Sequence, residues 1–295
     1  MESMNLVYIV IENITINDIL EKKLFISARL RNKLIKSKSI LLNNIFTDTR
    51  TIAHSGDILN IILDLPEDNS NIISKQIPLD IIYEDAHMLA INKPAGIAVH
   101  PSILHFEDSL ANGVKFYFDS IGLKKKIRAV NRIDCNTSGL VLFAKNEYIQ
   151  ECLIKQMANK TFCKTYLAIV SGHMAQNKGI INAPIARKEN SIIERCVSPL
   201  GQIAITKYNV VKEFKNYSLV SCTLDTGRTH QIRVHMAFSG NPILGDSLYG
   251  NKEPSFISRQ ALHSYKMDFI HPIYNKPLQF KADLPKDMEK LLQEE

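Results

Sequence analysis

The close spacing of short, β-like apolar runs constrains the fold of this chain more than any other feature. From residue 78 onward these runs follow one another too closely for repeated βαβ units, each of which needs a crossover helix. Residues 147–159 and 229–239 have helical character, and Gly240 suits a left-handed cap after the second segment. We therefore predict an α+β fold with a largely antiparallel or mixed sheet flanked by helices and loops. The β-like runs are residues 79–83, 88–92, 139–144, 165–170, 204–211 and 217–224.

The N-terminal segment contains a strongly basic helix. Residues 22–38 include seven basic residues and no acidic one. Ile26, Leu30 and Leu34 recur at a spacing of four, which predicts a helix with one packed face and a basic neighbouring face. The basic residues are Lys22, Lys23, Arg29, Arg31, Lys33, Lys36 and Lys38.

A small α/β domain is expected around this helix. Strand-like residues 39–42 run into an Asn-rich turn, and Ser55-Gly56-Asp57 precede a second strand at 58–63. Residues 66–71 have the composition of a linker. We therefore predict an N-terminal domain with its linker at residues 1–70 and a second domain at residues 71–295.

Composition excludes several classes of protein. The chain has 295 residues, of which 45% are apolar and 22% charged, as in ordinary globular proteins of about two domains. No apolar run approaches the roughly 18 residues of a membrane span, and the N-terminus lacks the pattern of a signal peptide, so we expect a cytoplasmic protein with no membrane partner. The five cysteines show no C-x-x-C spacing, so neither a disulfide framework nor a zinc site is indicated.

The strongest candidate for a catalytic group is Asp134, in the polar segment 131–139. The segment is rich in turn-forming residues and runs directly into the apolar strand 140–144. By itself this pattern is typical of a tight structural turn, but it would also hold a carboxylate rigidly at the mouth of a sheet. The residues alone leave both interpretations open.

The surrounding blocks favour the functional interpretation. Asn131-Arg132-Ile133-Asp134 through Thr137-Ser138-Gly139 resembles the signature of the RluA-type RNA pseudouridine synthases, in which His and Leu usually stand at the first and third positions. Further blocks follow in the family's order. They are residues 82–85, 92–96, 99–101, 164–168, 226–236, 242–246 and 259–263. The segment at 14–65, with Ser27, Asn43 and Gly56-Asp57, resembles the alpha-L RNA-binding motif that many members carry.

The resemblance implies isomerisation of uridine within RNA, without metal or cofactor. It places the catalytic carboxylate at Asp134, which could act as a nucleophile on the ribose or as a base. A cation must keep this carboxylate ionised in a site that excludes water, and the family pattern assigns that cation to Arg233. Tyr166 matches the tyrosine that is proposed to stack on the base and assist proton transfer. Asn131 excludes a titrating imidazole at its position.

RNA contacts are also implied by the resemblance. A stacked uridine must be flipped out before it reaches a pocket, and Arg132 is expected to occupy the space that the base leaves. Ribosomal RNA is the expected partner, with tRNA as an alternative, and we expect a monomer. The expected RNA-binding residues are Arg132, Arg228, Arg29, Arg31, Lys33 and Lys36. The histidines are expected to be structural or adjacent to RNA; they are His100, His230, His235, His263 and His271.

Two other classes of function remain open at this stage. A non-catalytic RNA-binding or ribosome-assembly factor would keep the fold and bind RNA in a salt-sensitive way. A glycosidase or nucleosidase would normally require a second carboxylate beside the scissile bond. Asp246 is the nearest candidate for that second carboxylate, and its Leu-Gly-Asp context looks like loop geometry.

Overall fold

The computed structural model describes residues 4–103, 105–250 and 257–293. The start of the predicted N-terminal domain (residues 1–3) and the end of the predicted second domain (residues 294–295) lie outside these described residues. No helix within the described ranges is both long and apolar enough to cross a membrane.

The N-terminal part forms a four-stranded antiparallel sheet in the order β1-β6-β3-β4, with a second small ladder between β2 and β5. A helical turn α1 continues as one π-helical turn (Ile19–Lys23) before the basic helix α2. The elements are β1 (Asn5–Ile9), β2 (Ile14–Thr15), α1 (Ile16–Asp18), α2 (Ala28–Lys36), β3 (Ile40–Leu42), β4 (Ile45–Phe46), β5 (Ile52–Ala53) and β6 (Ile58–Ile62).

Local chemistry explains why these residues fold in this way. Ser27 caps α2 by accepting a hydrogen bond from the backbone N–H of Leu30, at 3.2 Å. Asn43 has a left-handed φ of 51°, and its amide group donates to the Asp57 carboxylate at 2.9 Å. The same amide oxygen accepts from the backbone N–H of Ile58, so the turn before β4 is fixed to the start of β6.

The larger part is built on one mixed sheet of ten strands within the described residues. Its main path runs β12-β15-β16-β11-β17-β10-β8-β7, with β18 paired to β17 and β9 to β10, and its single parallel contact joins β10 to β17. These strands are β7 (Ile81–Glu84), β8 (Met88–Lys93), β9 (Arg128–Ala129), β10 (Ser138–Ala144), β11 (Cys163–Ser171), β12 (Lys178–Asn182), β15 (Ile205–Glu213), β16 (Tyr217–Leu224), β17 (Leu262–Ile270) and β18 (Pro277–Lys281). The predicted α+β class with a largely antiparallel or mixed sheet is confirmed.

Helices and one separate hairpin complete the fold. The hairpin pairs β13 (Ile185–Arg187) with β14 (Arg195–Val197). The helices are α3 (Leu110–Ser120), α4 (Glu147–Ala158), α5 (Gln231–Phe238) and α6 (Lys286–Gln293). Gly240 follows α5 with a φ of +83°, as the sequence predicts. The sequence did not predict α3, the hairpin, β17, β18 or α6.

One apolar core is shared by the N-terminal part and the larger part. Buried residues of α2, such as Leu30 and Leu34, belong to the same cluster as Leu140 and Val141 of the central strand β10. The predicted linker is also fastened, because Arg128 donates to the Glu67 carboxylate at 2.6 Å. The division into two domains at residue 70 stays a prediction.

The basic segment contains no acidic residue of its own, but it has acidic partners elsewhere in the chain. Ser27 donates to Glu151 of α4 at 2.7 Å, and Lys33 and Arg29 both contact Glu147 at the start of the same helix. Arg31 pairs with Glu21, just before the basic segment. The carboxylates are distant in sequence or lie at its edge, so no count within the segment could reveal them.

Candidate active site

Asp134 lies in a turn that Asn131 ties to the central sheet. The backbone N–H of Thr137 donates to the carbonyl of Asp134 at 3.1 Å, which closes the turn. The buried amide of Asn131 donates to the carbonyl of Leu140 at 3.2 Å and accepts from the N–H of Leu142 at 2.9 Å. The Asn131 side chain thus makes the same pair of hydrogen bonds to β10, one donated and one accepted, that a neighbouring strand would make. At this position the side chain therefore acts as one donor and one acceptor toward the backbone of β10.

Gly139 allows the turn to sit close to β17. Its φ is +106°, and a Cβ atom there would lie 2.3 Å from the carbonyl oxygen of Ser264. The parallel contact of β10 with β17 is therefore available only to glycine at this position.

A buried lysine fastens the loops beneath Asp134. The ammonium group of Lys93 donates to the carbonyls of Pro94, Ile97 and Cys135, at 2.8, 2.7 and 2.8 Å. These three acceptors match the three donors of an ammonium group. Burial lowers the pKa of Lys93 to about 8. Lys93 joins the loop after β8 to the loop that carries Asp134.

Arg233 connects Asp134 to a second carboxylate. From the first turn of α5, its Nη1 donates to Oδ2 of Asp134 at 3.0 Å, while its Nε and Nη2 donate to the two oxygens of Asp246 at 2.7 and 2.8 Å. The Asp246 side chain is 0% exposed and that of Asp134 is 26% exposed. Burial would lower the pKa of Arg233, but the hydrogen bonds and charges of both carboxylates raise it overall.

The expected contact between Arg233 and Asp134 is thus present, and Asp246 takes a part that the sequence did not predict. Asp246 does not flank the cleft as a second catalytic acid would, because it lies behind Arg233 and spans that guanidinium in a bidentate pair. It also accepts from the backbone N–H groups of Leu248 and Tyr249, which fixes its own orientation.

His230 and Tyr249 form a further contact at this site. The Nε2 atom of His230 lies 3.9 Å from Oδ2 of Asp134, and its Nδ1 lies 2.8 Å from the hydroxyl of Tyr249. Burial lowers the pKa of His230, with Arg233 and Arg195 adding to the effect, although Asp134 opposes it. The imidazole is therefore mainly neutral near pH 7, and Arg233 is the cation that faces Asp134.

Tyr166 is a buried strand residue that also lines the cleft. It lies on β11 with 6% of its surface exposed. Burial and the nearby Asp134 charge raise its pKa to about 12, although a hydrogen bond with Ser264 opposes the shift. The hydroxyl is therefore protonated at neutral pH.

These groups meet in a cleft of about 700 Å³. Asp134, Tyr166 and Arg233 all line it, and so do Arg132 and Arg228. Arg132 and Arg228 are exposed, with no carboxylate partner in the described part of the chain. Some predicted RNA-binding residues are not brought to this cleft; these are Arg29, Arg31, Lys33 and Lys36.

Comparisons with known proteins identify the class. The family model for RNA pseudouridylate synthase matches residues 87–238. The uncharacterized RNA pseudouridine synthase YjbO of Bacillus subtilis (strain 168) is 40% identical over 86% of this chain and 89% of its own length. The ribosomal large subunit pseudouridine synthase D of Xylella fastidiosa (strain Temecula1) is 34% identical over 88% of this chain and 81% of its own length.

A solved structure shares the fold. The human RNA pseudouridylate synthase domain containing 4 superposes with a TM-score of 0.59 over 72% of this chain and 91% of that chain, at 22% identity.

The class defined by this fold and these matches is an RNA-modifying isomerase. The chain belongs to the RNA pseudouridylate synthase family, whose members convert uridine in RNA to pseudouridine, and the resemblance to the RluA type is confirmed.

Proposed function

We propose that this enzyme isomerises specific uridines of large-subunit ribosomal RNA, with Asp134 as the catalytic carboxylate. The observation that carries the assignment of Asp134 is its pairing with Arg233 in the cleft, at 3.0 Å. The RNA class is proposed because several similar proteins are named ribosomal large subunit pseudouridine synthase D.

The two oxygens of Asp134 have different environments. Arg233 binds Oδ2, whereas Oδ1 has no hydrogen-bond partner among the described residues. The guanidinium fixes the direction of the carboxylate, and a nucleophile or a general base would act through the other oxygen. The free oxygen is the atom that reaches the ribose of the target nucleotide, and Arg233 holds the other in place.

Tyr166 contributes a protonated hydroxyl and a flat ring. Its pKa of about 12 means that the hydroxyl keeps its proton at neutral pH and can donate a hydrogen bond. The ring gives the flipped base a surface for stacking, and the hydroxyl can pass a proton to or from the base.

Arg132 and Arg228 supply the contacts at the mouth of the cleft. Flipping a uridine out of a stack costs a few kcal/mol, which is recovered if another planar group fills the gap. Arg132 immediately precedes the Asp134 turn and is exposed, so its guanidinium can stack in that gap. Arg228 is placed to bind a phosphate of the same strand.

The N-terminal part adds further RNA contacts. Lys36 is exposed and available to phosphates. The Arg29 side chain is 76% exposed, and its contact with Glu147 is 3.4 Å long, so it can turn to a phosphate by giving up that contact. Arg31 and Lys33 would first have to release Glu21 and Glu147. We also propose that the enzyme acts in the cytoplasm as a monomer, without a metal or cofactor.

Mapping pseudouridine in ribosomal and transfer RNA, from cells with and without this gene, tests the proposed function. The proposal predicts that one or a few large-subunit positions lose pseudouridine and regain it when the wild-type gene is restored. Loss confined to tRNA would overturn the substrate assignment. An unchanged map in both RNAs would favour the non-catalytic alternative.

A further inference from the structure

The arginines of this chain fall into two groups. Six of the ten form ion pairs with carboxylates within the described residues; they are Arg29, Arg31, Arg50, Arg128, Arg233 and Arg259. The other four are Arg132, Arg187, Arg195 and Arg228. All four of these line either the active-site cleft or a second cleft next to it.

The second cleft has a volume of about 450 Å³ and adjoins the first. Residues 227–229 line both clefts, so a strand leaving the active site can continue into the second one. Arg187, Arg195 and Arg228 line the second cleft, and no acidic residue does. Three positive charges therefore face a concave surface without local neutralisation.

Backbone carbonyls orient two of these guanidinium groups without cancelling their charge. Nη1 of Arg195 donates to the carbonyls of Ile193 and Glu194, at 3.1 and 3.0 Å. Nε of Arg228 donates to the carbonyl of Ile203 at 3.0 Å. The remaining guanidinium donors stay available for a ligand, and this geometry suits the oxygens of a phosphodiester.

Two backbone segments that line the second cleft lie in close contact, at Gly201 and at Ile185. A Cβ atom on Gly201 would lie 2.4 Å from the carbonyl carbon of Ile185, and Gln202 exchanges backbone hydrogen bonds with Ile185 at 2.9 Å. Leu200, beside this contact, is 96% exposed. An exposed apolar side chain next to arginines is a surface on which an unpaired base can rest.

The hairpin that carries Arg187 and Arg195 is also fixed to the active site. The backbone N–H of Arg195 donates to the hydroxyl of Tyr249 at 2.8 Å, and that hydroxyl lies 2.8 Å from Nδ1 of His230. His230 in turn faces Asp134 at 3.9 Å. These contacts fix the position of the second cleft relative to the active-site cleft.

We propose that the second cleft binds the phosphodiester backbone of the unpaired nucleotides next to the target uridine, through Arg187 and Arg195. This inference deepens the proposed function and rests on it for the identity of the nucleotide in the first cleft. Binding of the flanking strand positions the RNA so that the neighbouring uridine can enter the first cleft.

Salt-dependent binding of RNA tests this proposal. All proteins carry Asp134→Asn, so that binding is measured without turnover, and the probe is a fluorescein-labelled single-stranded RNA of about 15 nucleotides with one central uridine. The test variant adds Arg187→Gln and Arg195→Gln. The control adds Arg50→Gln and Lys290→Gln, which remove the same charge from residues that line neither cleft.

The test variant should bind at least about tenfold more weakly at 0.1 M salt, since charge-assisted hydrogen bonds are lost. Its slope of log affinity against log salt should be shallower by about 1.4, or about 0.7 for each phosphate contact. Arg187→Gln alone should give about half of that change. Arg187 is exposed and has no ion pair in the described chain, so this single variant keeps the test valid if the double variant unfolds.

Equal affinities and slopes for the test and control variants would overturn the proposal. The two proposals can fail separately. If the wild-type enzyme forms no pseudouridine but the slope changes as expected, the proposed function fails and the second cleft remains an RNA site. If the enzyme is active and the slope does not change, only the second cleft is refuted.

Discussion

Replacing Asp246 by Asn should separate the positioning of Arg233 from the chemistry of Asp134. The change removes the negative charge behind Arg233 but keeps an acceptor for one of its two hydrogen bonds, which are 2.7 and 2.8 Å long. The side chains of Asp246 and Arg233 are 0% and 5% exposed, so water cannot replace the lost partner.

The expected magnitude follows from this burial. Breaking a buried ion pair costs about 3–5 kcal/mol. Because Asp134 and one amide acceptor remain for Arg233, we expect the lower end, about 3 kcal/mol of unfolding free energy. At roughly 2–4 °C per kcal/mol, the melting temperature should fall by on the order of 6–12 °C.

Activity should also fall at temperatures where the variant is folded. Without the bidentate pair to Asp246, the Arg233 guanidinium would hold the Asp134 carboxylate less accurately. A displacement of a catalytic group by about 1 Å can cost on the order of 100-fold in rate. We expect kcat for pseudouridine formation to decrease on the order of 10- to 100-fold. The dissociation constant for RNA should change little, because Asp246 does not line the cleft.

Asp287→Asn is a matched control for this experiment. Asp287 binds Arg259 in the same bidentate way, at 2.7 and 2.8 Å, but its side chain is 42% exposed. Solvent can compensate there, so the loss should be about 1 kcal/mol or less. Thermal unfolding and single-turnover assays on both variants give the comparison. Equal stability losses, or an Asp246→Asn enzyme with unchanged kcat, would refute the positioning role of Asp246.

Three further variants test the approach of β10 to β17, the Asn131 contact and the buried His263. Gly139→Ala should lose more than about 3 kcal/mol of unfolding free energy, because its Cβ would lie 2.3 Å from the Ser264 carbonyl oxygen. Gly56→Ala is the control, because Gly56 has a φ of +95° but nothing within 4 Å of the added Cβ. It should lose only about 1–2 kcal/mol. Asn131→Ala should lose about 2–4 kcal/mol, measured by urea unfolding, while single-turnover activity of the folded fraction persists. Burial lowers the pKa of His263 to about 4 from 6.5, so the unfolded chain binds the proton first and stability falls as the pH drops from 6.5 to 4. His263→Gln should make that decline shallower, as measured by unfolding at a series of pH values.

Contrary results would have clear meanings. Equal losses for the two glycine variants would show that the backbone approach to β17 carries no cost. Loss of activity in folded Asn131→Ala would show that Asn131 has more than a structural part. An unchanged acid decline in His263→Gln would assign the pH dependence to other titrating groups, such as the paired carboxylates of Asp85 and Glu67.

The sequence predicts local elements of this fold well where periodicity and caps are strong. The strand predicted at 217–224 has the same limits in the structure, and the helix at 147–159 differs only at its last residue. The sequence failed where long-range pairing decides the structure. Strand β17 joins β10 to β11 at the centre of the sheet. Residues 265–269 do alternate apolar and polar side chains, but that local pattern does not show which strands β17 pairs with.

The site shows the same division. Asp134, Tyr166 and Arg233 could be chosen from ordered motifs, because each motif keeps its own spacing. The partnership of Asp246 with Arg233 could not be derived from spacing, although its Leu-Gly-Asp block gave a signal. The acidic partners of the basic helix were missed because Glu147 is more than a hundred residues away in sequence and is brought alongside only by the shared core.

A single-turnover assay of Asp134→Asn on ribosomal RNA that lacks the modification tests the catalytic assignment of Asp134. Asn keeps the size of the side chain and an oxygen that can accept a hydrogen bond from Arg233, but it has neither the charge nor the reactivity of a carboxylate. We expect wild-type affinity for this RNA and no detectable pseudouridine, with conversion by the wild-type enzyme under the same conditions. Pseudouridine formation by Asp134→Asn at a rate near that of wild type would contradict this assignment.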